Sequence, residues 1–178
     1  HKLSARRLEG TKKMRNCSTE RLKFFKDIMG FKPDAVSHLK GDPLNPQLKG
    51  MVFFFNTGTG TLVVADILGL PEVRPCGVFG FHIHEGDRCA GNTKDAFLSA
   101  GGHYNPTNQP HPCHAGDLPP LFSNSGYAFM SFLSERFTAE EVIGRTVIIH
   151  SKPDNFTTQP SGDSGDKIAC GIIEKYQR

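Results

Sequence analysis

The stretch Gly50-Met-Val-Phe-Phe-Phe-Asn-Thr-Gly-Thr-Gly-Thr-Leu-Val-Val-Ala-Asp-Ile67 indicates the class of the fold. Two runs rich in β-branched and aromatic residues flank a turn segment, Asn56-Thr-Gly-Thr-Gly60, that is typical of β-hairpins. Short apolar runs separated by turn residues recur along the rest of the chain. They predict an all-β protein, built as an antiparallel sandwich or barrel.

The same pattern predicts further strands and two long loops. Strands are expected over residues 35–39, 77–84, 127–133, 145–150 and 167–173. Thr138-Ala-Glu-Glu141 has the capping-box pattern, which predicts one short helical turn. Residues 85–120 and 151–166 interrupt the series of strands. Long loops within a compact domain are usually functional, so these two loops are the expected location of a site.

Charge is distributed unevenly over the 178 residues. Residues 1–40 hold 11 Lys/Arg and 4 Asp/Glu, which leaves 10 and 14 for the remainder and gives the overall charge of +3. We therefore expect a basic arm at 1–34, with a short helix over 19–29, and one domain at 35–178. Such arms can bind nucleic acid or anionic lipid. A solvated arm is the simpler interpretation, and no nucleic-acid partner is expected.

Apolar runs such as Met51-Val-Phe-Phe-Phe55 are far shorter than the ~18–20 residues that a membrane span needs, so no integral membrane segment is expected. The compartment stays open. The chain would be cytoplasmic if it starts near Met14, and extracytoplasmic if a signal was removed. The five cysteines leave at least one that is unpaired or bound to metal.

Histidine is concentrated in and beside the two loops. His103, His111, His114 and Asp117 lie close together in a segment rich in glycine and proline. Three imidazoles and one carboxylate form a closed tetrahedral set for zinc, which would also explain how so polar a loop is ordered. Cys113 lies between two of these residues and is either an additional ligand or a free thiol.

His82, His84 and His150 remain for a second metal. His82 and His84 are two residues apart on a predicted strand, so both side chains face the same side. An all-imidazole set suits copper, which changes oxidation state, whereas zinc does not. The pattern therefore indicates a redox metal beside a structural one.

At these residues the chain resembles the copper/zinc superoxide dismutases, in particular the bacterial branch. The resemblance runs from Ala35 to about Ile173. It is carried by Ala35-Val-Ser-His-Leu-Lys-Gly-Asp42, Gly80-Phe-His-Ile-His-Glu85, Ala100-Gly-Gly-His-Tyr-Asn-Pro106, His114-Ala-Gly-Asp-Leu118, Gly144-Arg-Thr-Val-Ile-Ile-His150 and Ala169-Cys-Gly171.

The resemblance implies a Greek-key β-sandwich and an enzyme that converts superoxide to oxygen and hydrogen peroxide. It implies copper on His82, His84, His103 and His150, and zinc on His103, His111, His114 and Asp117, with His103 bridging the two metals. Asp154 matches a carboxylate that links the ligands of the two metals. Cys89 and Cys170 match the disulfide of the family. The family includes homodimers and monomers, so the oligomeric state stays open.

Three departures from the family pattern stand out. The active-site arginine of the family is Lys167 here, and we expect this lysine to attract the superoxide anion rather than point into solvent. Loop 151–166 is shorter than in the eukaryotic branch. Cys17, Cys76 and Cys113 have no counterpart in the usual pattern.

Two alternative functions can be compared with this one. A dismutase-like module that binds copper and zinc without turnover would usually lack a copper ligand, and none is missing here. A cupin-type enzyme also carries His-x-His in a β-barrel. It would require a glutamate several residues further on, whereas Glu85 follows His84 directly.

Overall fold

The computed structural model describes residues 30–177, so the predicted helix at 19–29 and Cys17 lie outside the described residues. The regular secondary structure of the described part consists almost entirely of strands. These are β1 (Ala35–Gly41), β2 (Lys49–Asn56), β3 (Thr61–Leu68), β4 (Gly77–Phe79), β5 (Phe81–His84), β6 (Leu121–Ser123), β7 (Tyr127–Ser134), β8 (Thr146–His150) and β9 (Lys167–Lys175).

Seven strands form one curled antiparallel sheet in the order β5-β8-β9-β1-β2-β3-β7, and β4 pairs separately with β6. The hairpin predicted from the opening stretch is the β2–β3 pair, with Asn56 opposite Thr61. After β3 the chain crosses to β5 at the far edge, returns to β7 beside β3, and crosses again to β8. These crossings make the Greek-key pattern, and they bring segments distant in sequence to the β5–β8–β9 end.

Alternating side chains of the strands fill the apolar interior. Val52 and Phe54 of β2 and Val63 of β3 are fully buried, and Phe81 and Ile83 of β5 join the same core. Phe54 meets Phe137 edge-on, with ring centroids 6.4 Å apart. Burial of large apolar side chains on this scale is the main source of stability in such a fold.

The helical turn predicted at Thr138 is present as helix α1 (Ala139–Val142). Thr138 Oγ1 accepts from the Glu141 N–H, and the Glu141 carboxylate accepts from the Thr138 N–H, which completes the capping box. A second short element, the 3-10 helix Leu98–Ala100, lies in the loop after β5. Among the described residues, no helix has the length and apolar character required to cross a membrane.

One strand prediction was wrong, and one strand was not predicted. The strand expected over 77–84 is broken at Gly80, whose N–H donates to Lys152 and whose carbonyl accepts from the His150 N–H, so β4 and β5 belong to different sheets. The strand β6 was not predicted, because it is short and directly follows Pro119 and Pro120.

Candidate metal centre

Strands β5 and β8 place three histidines on the same side of the sheet. Phe81 and Ile83 point into the core, so the alternation turns His82 and His84 to the opposite face, where both are buried. The pairing of β8 with β9 shifts register between Ile149 and His150. The extra residue, Ile168, lies in β9. Along β8, Val147 and Ile149 point into the core, so alternation places His150 on the face of His82 and His84.

The loop between β5 and β6 runs back along the free edge of β5. The Ile83 N–H donates to Gly116 O (2.9 Å), and Ile83 O accepts from the Tyr104 N–H (2.8 Å). A Cβ at position 116 would lie 2.2 Å from Ile83 O, so glycine permits this close approach. His103 precedes Tyr104, and Asp117 follows Gly116. The pairing therefore brings both to the β5 histidines.

The structure brings the predicted ligands into two groups that share His103. Within each group, one donor atom per residue lies within 4.8 Å of the others. The first group contains His82, His84, His103 and His150. The second contains His103, His111, His114 and Asp117.

In the first group, the ring nitrogens that face away from the cluster are hydrogen-bonded. His82 Nε2 bonds Asp154 Oδ2 (2.8 Å), His84 Nδ1 bonds Gly101 O (2.8 Å) and His150 Nδ1 bonds Gly165 O (3.2 Å). These bonds determine the tautomer and direct the remaining nitrogens inward. His84 Nε2 and His150 Nε2 lie 3.2 Å apart, while the buried His82 Nδ1 and His103 Nε2 have no hydrogen-bond partner.

The second group also contains buried ring nitrogens without hydrogen-bond partners. His103 Nδ1 bonds Asp117 Oδ1 (2.7 Å). His111 Nδ1 and His114 Nδ1 lie 3.1 and 3.2 Å from Asp117 Oδ2, but neither has a partner with hydrogen-bond geometry. Buried polar atoms without partners are costly, and a bound cation would satisfy them. Both groups therefore fit metal ions.

Asp154 connects the two groups from behind. Its Oδ2 accepts from His82 Nε2, and its Oδ1 lies 2.9 Å from His111 Nε2. Gly162 makes room for this carboxylate, because a Cβ there would lie 1.9 Å from Asp154 Oδ1 and 2.8 Å from His111 Nε2. Gly162 also has a φ of +70°, which favours glycine.

Burial keeps the imidazoles of His82, His84 and His150 neutral. It lowers the pKa of His82 to about 4, although the hydrogen bond to Asp154 acts in the opposite direction. Burial, together with neighbouring histidines, lowers the pKa of His150 to about 3 and that of His84 well below its usual value. Neutral imidazoles are the form that binds metal, so the fold favours binding before any ion arrives.

The two carboxyl groups remain ionised. Burial by itself would raise the pKa of Asp154, but hydrogen bonds from His82, the Phe156 N–H and His111 outweigh it and hold the pKa well below its usual range. In the same way burial opposes ionisation of Asp117, while the hydrogen bond from His103 and the nearby histidines lower its pKa. Each group of donors thus has an anionic carboxylate beside it.

An open groove of about 880 Å³ leads to the first group and is lined by His84, His103, His150 and Lys167. Lys167 begins β9 directly opposite His150. Its side chain is only 15% exposed, and its Nζ lies 2.5 Å from Asp95 Oδ2, so it does not point freely into solvent.

The disulfide expected from the family resemblance is present between Cys89 and Cys170, which are 81 residues apart. It links the loop that carries His103 to strand β9, and closing a chain segment this long can stabilise a fold by up to ~4 kcal/mol. Cys76 and Cys113 are free and exposed, and Cys113 belongs to neither group of metal ligands.

Several groups that support the site were not predicted from the sequence. Arg136, in the connection between β7 and α1, donates from Nη1 to Pro112 O (3.0 Å) and His114 O (3.1 Å). These bonds hold the segment that carries His111 and His114. Asp95 pairs with Lys167 across 72 residues of sequence. The carbonyls of Gly101 and Gly165 orient two histidines, and backbone acceptors leave no signal in residue type. Arg136 and Asp95 are ordinary surface residue types in the sequence.

Comparison with known proteins agrees with this geometry. Residues 48–173 match the family model described as copper/zinc superoxide dismutase. A superoxide dismutase [Cu-Zn] of Photobacterium leiognathi is 39% identical over 119 residues, covering 59% of this chain and 68% of that protein. Superoxide dismutase [Cu-Zn] 2 of Aquifex aeolicus (strain VF5) is 30% identical over 158 residues, covering 80% and 89% respectively. The corresponding protein of Legionella pneumophila is 34% identical over 137 residues, covering 72% and 80%.

A curled antiparallel sheet with two adjoining histidine groups defines a β-barrel protein with a candidate metal centre, and the family match places it among the oxidoreductases. The family match covers most of the described residues, and the relatives align over two thirds or more of their own length. The chain belongs to the copper/zinc superoxide dismutase family.

Proposed function

We propose that this member of the family converts superoxide to oxygen and hydrogen peroxide at a copper ion bridged by one histidine to zinc. Copper and zinc are the cofactors that the family implies. The residue assignments are our own proposal. Copper would be held by His82, His84, His103 and His150, and zinc by His103, His111, His114 and Asp117.

One observation carries the assignment: inward nitrogens of four histidines have no hydrogen-bond partner, while the outward nitrogens of His82, His84 and His150 are tied to acceptors. The four are His82, His103, His111 and His114. The first group offers only imidazole nitrogens, which suit copper, and the second offers three imidazoles and a carboxylate, which suit zinc. His103 is common to both, and each of its ring nitrogens faces one group. It is therefore proposed as the bridge.

Copper, when bound, supplies the one-electron chemistry that two superoxide ions and two protons need to give one oxygen and one hydrogen peroxide. The protein supplies geometry, charge and protons. His103 Nε2 can take up and deliver a proton, because Asp117 Oδ1 holds the other ring nitrogen in place. Lys167 lines the groove that reaches the first group, and its ammonium is proposed to attract the anionic substrate.

Substitution of one proposed ligand from each group tests the assignment. His150→Ala is expected to remove copper and lower superoxide dismutation by about a hundredfold or more, while zinc and the fold are retained. Asp117→Ala is expected to deplete zinc first. His38→Ala is the matched control, because His38 is an exposed histidine on β1 outside both groups.

The readouts are metal content by mass spectrometry, the electron paramagnetic resonance spectrum of copper and a superoxide assay. Loss of zinc before copper in His150→Ala would mean that the two sites are interchanged. A protein that is replete with both metals but has no copper-dependent activity would instead be a metal-binding module without turnover.

We also propose the domain boundaries and the oligomeric state of the protein. Residues 35–178 are proposed to form the dismutase domain, and residues 1–34 an arm that binds no nucleic acid. A homodimer is proposed by analogy with members of the family. Sedimentation of the full chain, alone and with duplex DNA, tests both: a monomer mass, or co-sedimentation with DNA, would contradict them.

A further inference from the structure

Asp95 is fixed within its loop, independently of Lys167. Its Oδ1 accepts from the Phe97 N–H (2.9 Å), and its backbone carbonyl accepts from the Asn92 N–H (2.9 Å). Its Oδ2 meets Lys167 Nζ at 2.5 Å. Both residues line the groove that also contains His84, His103 and His150. The proposed function uses Lys167 but gives no role to this carboxylate.

We propose that Asp95 is a positioning residue that holds the Lys167 ammonium against the loop and reduces the positive field in the groove. This inference rests on the proposed function, in which Lys167 attracts an anion. Lysine is a point charge on a flexible stem, so an unpaired Lys167 would sample many positions. A carboxylate in contact turns the lone charge into a dipole, whose field falls off faster with distance. The groove therefore attracts anions less strongly than an unpaired lysine would allow.

The charge of Asp95 is present at neutral pH. Burial is the largest single influence and opposes ionisation, but the hydrogen bonds from Lys167 and the Phe97 N–H, together with the charge of Lys167, outweigh it and lower the pKa of Asp95. The side chains of Lys167 and Asp95 are 15% and 30% exposed, so solvent screens the pair less than it screens fully exposed charges.

The loop has a second attachment to β9, which makes the pair open to test. The Cys89–Cys170 disulfide joins the same loop to the same strand. Phe97 and Ala100 pack with Ile148 and Cys170 in a small apolar cluster. Removal of the Asp95 charge should therefore leave the loop in place.

Azide binding to the copper- and zinc-loaded protein, followed by visible absorption at low and high salt, measures the attraction directly. Asp95→Asn is expected to tighten azide binding by about three- to tenfold at low salt and to steepen its salt dependence. Lys167→Met should weaken binding. The double variant should match Lys167→Met within about twofold, because Asp95 acts through Lys167.

Asp87→Asn is the matched control. Asp87 is a carboxylate of the same loop, but it is exposed, pairs with Arg88 and does not line the groove. Its replacement removes the same charge and should leave azide affinity unchanged. Asp95→Glu keeps the charge and should restore affinity to near the unaltered value.

A second readout does not need copper. Amine-reactive labelling of Lys167, quantified by peptide mass spectrometry, should rise in Asp95→Asn and not in Asp87→Asn. The inference is overturned if Asp95→Asn behaves as the unaltered protein in both measurements, or if its effect on azide persists with Lys167→Met. If Lys167→Met itself leaves azide affinity unchanged, the role of Lys167 in the proposed function is wrong. If the unaltered protein binds no copper, the proposed function itself fails.

Discussion

The β1–β2–β3–β7 part of the sheet and the two loops at 85–120 and 151–166 are ordered by different forces. In the sheet, continuous backbone pairing joins the strands, and the buried side chains are mostly apolar, such as Val52, Phe54 and Val63. In the loops the buried side chains include His103, His111, His114, Asp154 and Ser164. Several of their ring nitrogens have no partner within the protein.

This difference indicates that the two regions should respond to different perturbations. Apolar burial stabilises the sheet whether or not metal is present. The loops rely on metal ligands, on the Cys89–Cys170 disulfide, on the small apolar cluster around Phe97 and on hydrogen bonds such as those from Arg136. The comparison can be tested by perturbing one region at a time.

The largest effect is expected from removal of both metals by chelation. Structural zinc can contribute about 10–16 kcal/mol of apparent binding energy, so its loss should loosen whatever it holds. Amide exchange in both loops should accelerate by about a hundredfold or more, with less than about a threefold change in β1–β3. A uniform acceleration across loops and sheet would contradict the distinction. Alkylation under the same conditions checks that Cys89–Cys170 stays intact.

Phe54→Ala perturbs the other region. Phe54 is fully buried against Phe137, so the substitution should lower the free energy of unfolding by about 3–5 kcal/mol. The folded molecules should still bind both metals. Phe122→Ala, at a position that is 65% exposed, should cost less than about 0.5 kcal/mol in the same urea titration. Selective metal loss from folded Phe54→Ala would show that the sheet and the loops are not separable.

The pH dependence of the metal-free protein is the next expected effect. His82 and His150 have folded pKa values of about 4 and about 3, below the usual 6.5. The unfolded chain therefore binds more protons below pH 6.5. Stability is full above that pH and falls as the pH drops, by on the order of 2 kcal/mol for each of the two histidines by pH 5, and the loss ends only below the folded values.

Urea unfolding at several pH values measures this slope. His150→Gln should remove part of it, whereas His38→Gln, at an exposed position on β1, should keep it in full. An identical slope in the unaltered protein and in His150→Gln would contradict the assignment of the effect to the buried histidines.

The smallest expected effect concerns Arg136. Its guanidinium donates to the carbonyls of Pro112 and His114, beside the proposed zinc ligands. Arg136→Met should therefore weaken zinc binding by about 1 kcal/mol, or severalfold, and leave copper binding unchanged. Competition with a zinc chelator gives the affinity. Arg88→Met, at an exposed position in the same loop, is the control. Equal zinc affinities in the two variants would leave Arg136 without a role in holding the loop.

Local pattern was sufficient for most of the fold. Alternation and turn residues predicted β1, β2, β3, β7, β8 and β9 within one or two residues at most ends, and the capping box predicted α1. These features depend on residues close in sequence, because side-chain direction repeats every two residues in a strand and about every four in a helix. The break at Gly80 escaped prediction because it depends on contacts with Lys152 and His150, about seventy residues away.

The chemistry of the site divides in the same way. Residue type and spacing indicated which side chains were candidate ligands, because imidazole and carboxylate groups have known metal preferences. Which ring nitrogen of His82, His84 or His150 faces inward depends on acceptors at Asp154, Gly101 and Gly165, and these are in position only once the chain has folded. The pairing of Asp95 with Lys167 is of this second kind, since an ion pair between distant residues requires the Greek-key crossings that bring loop and strand together.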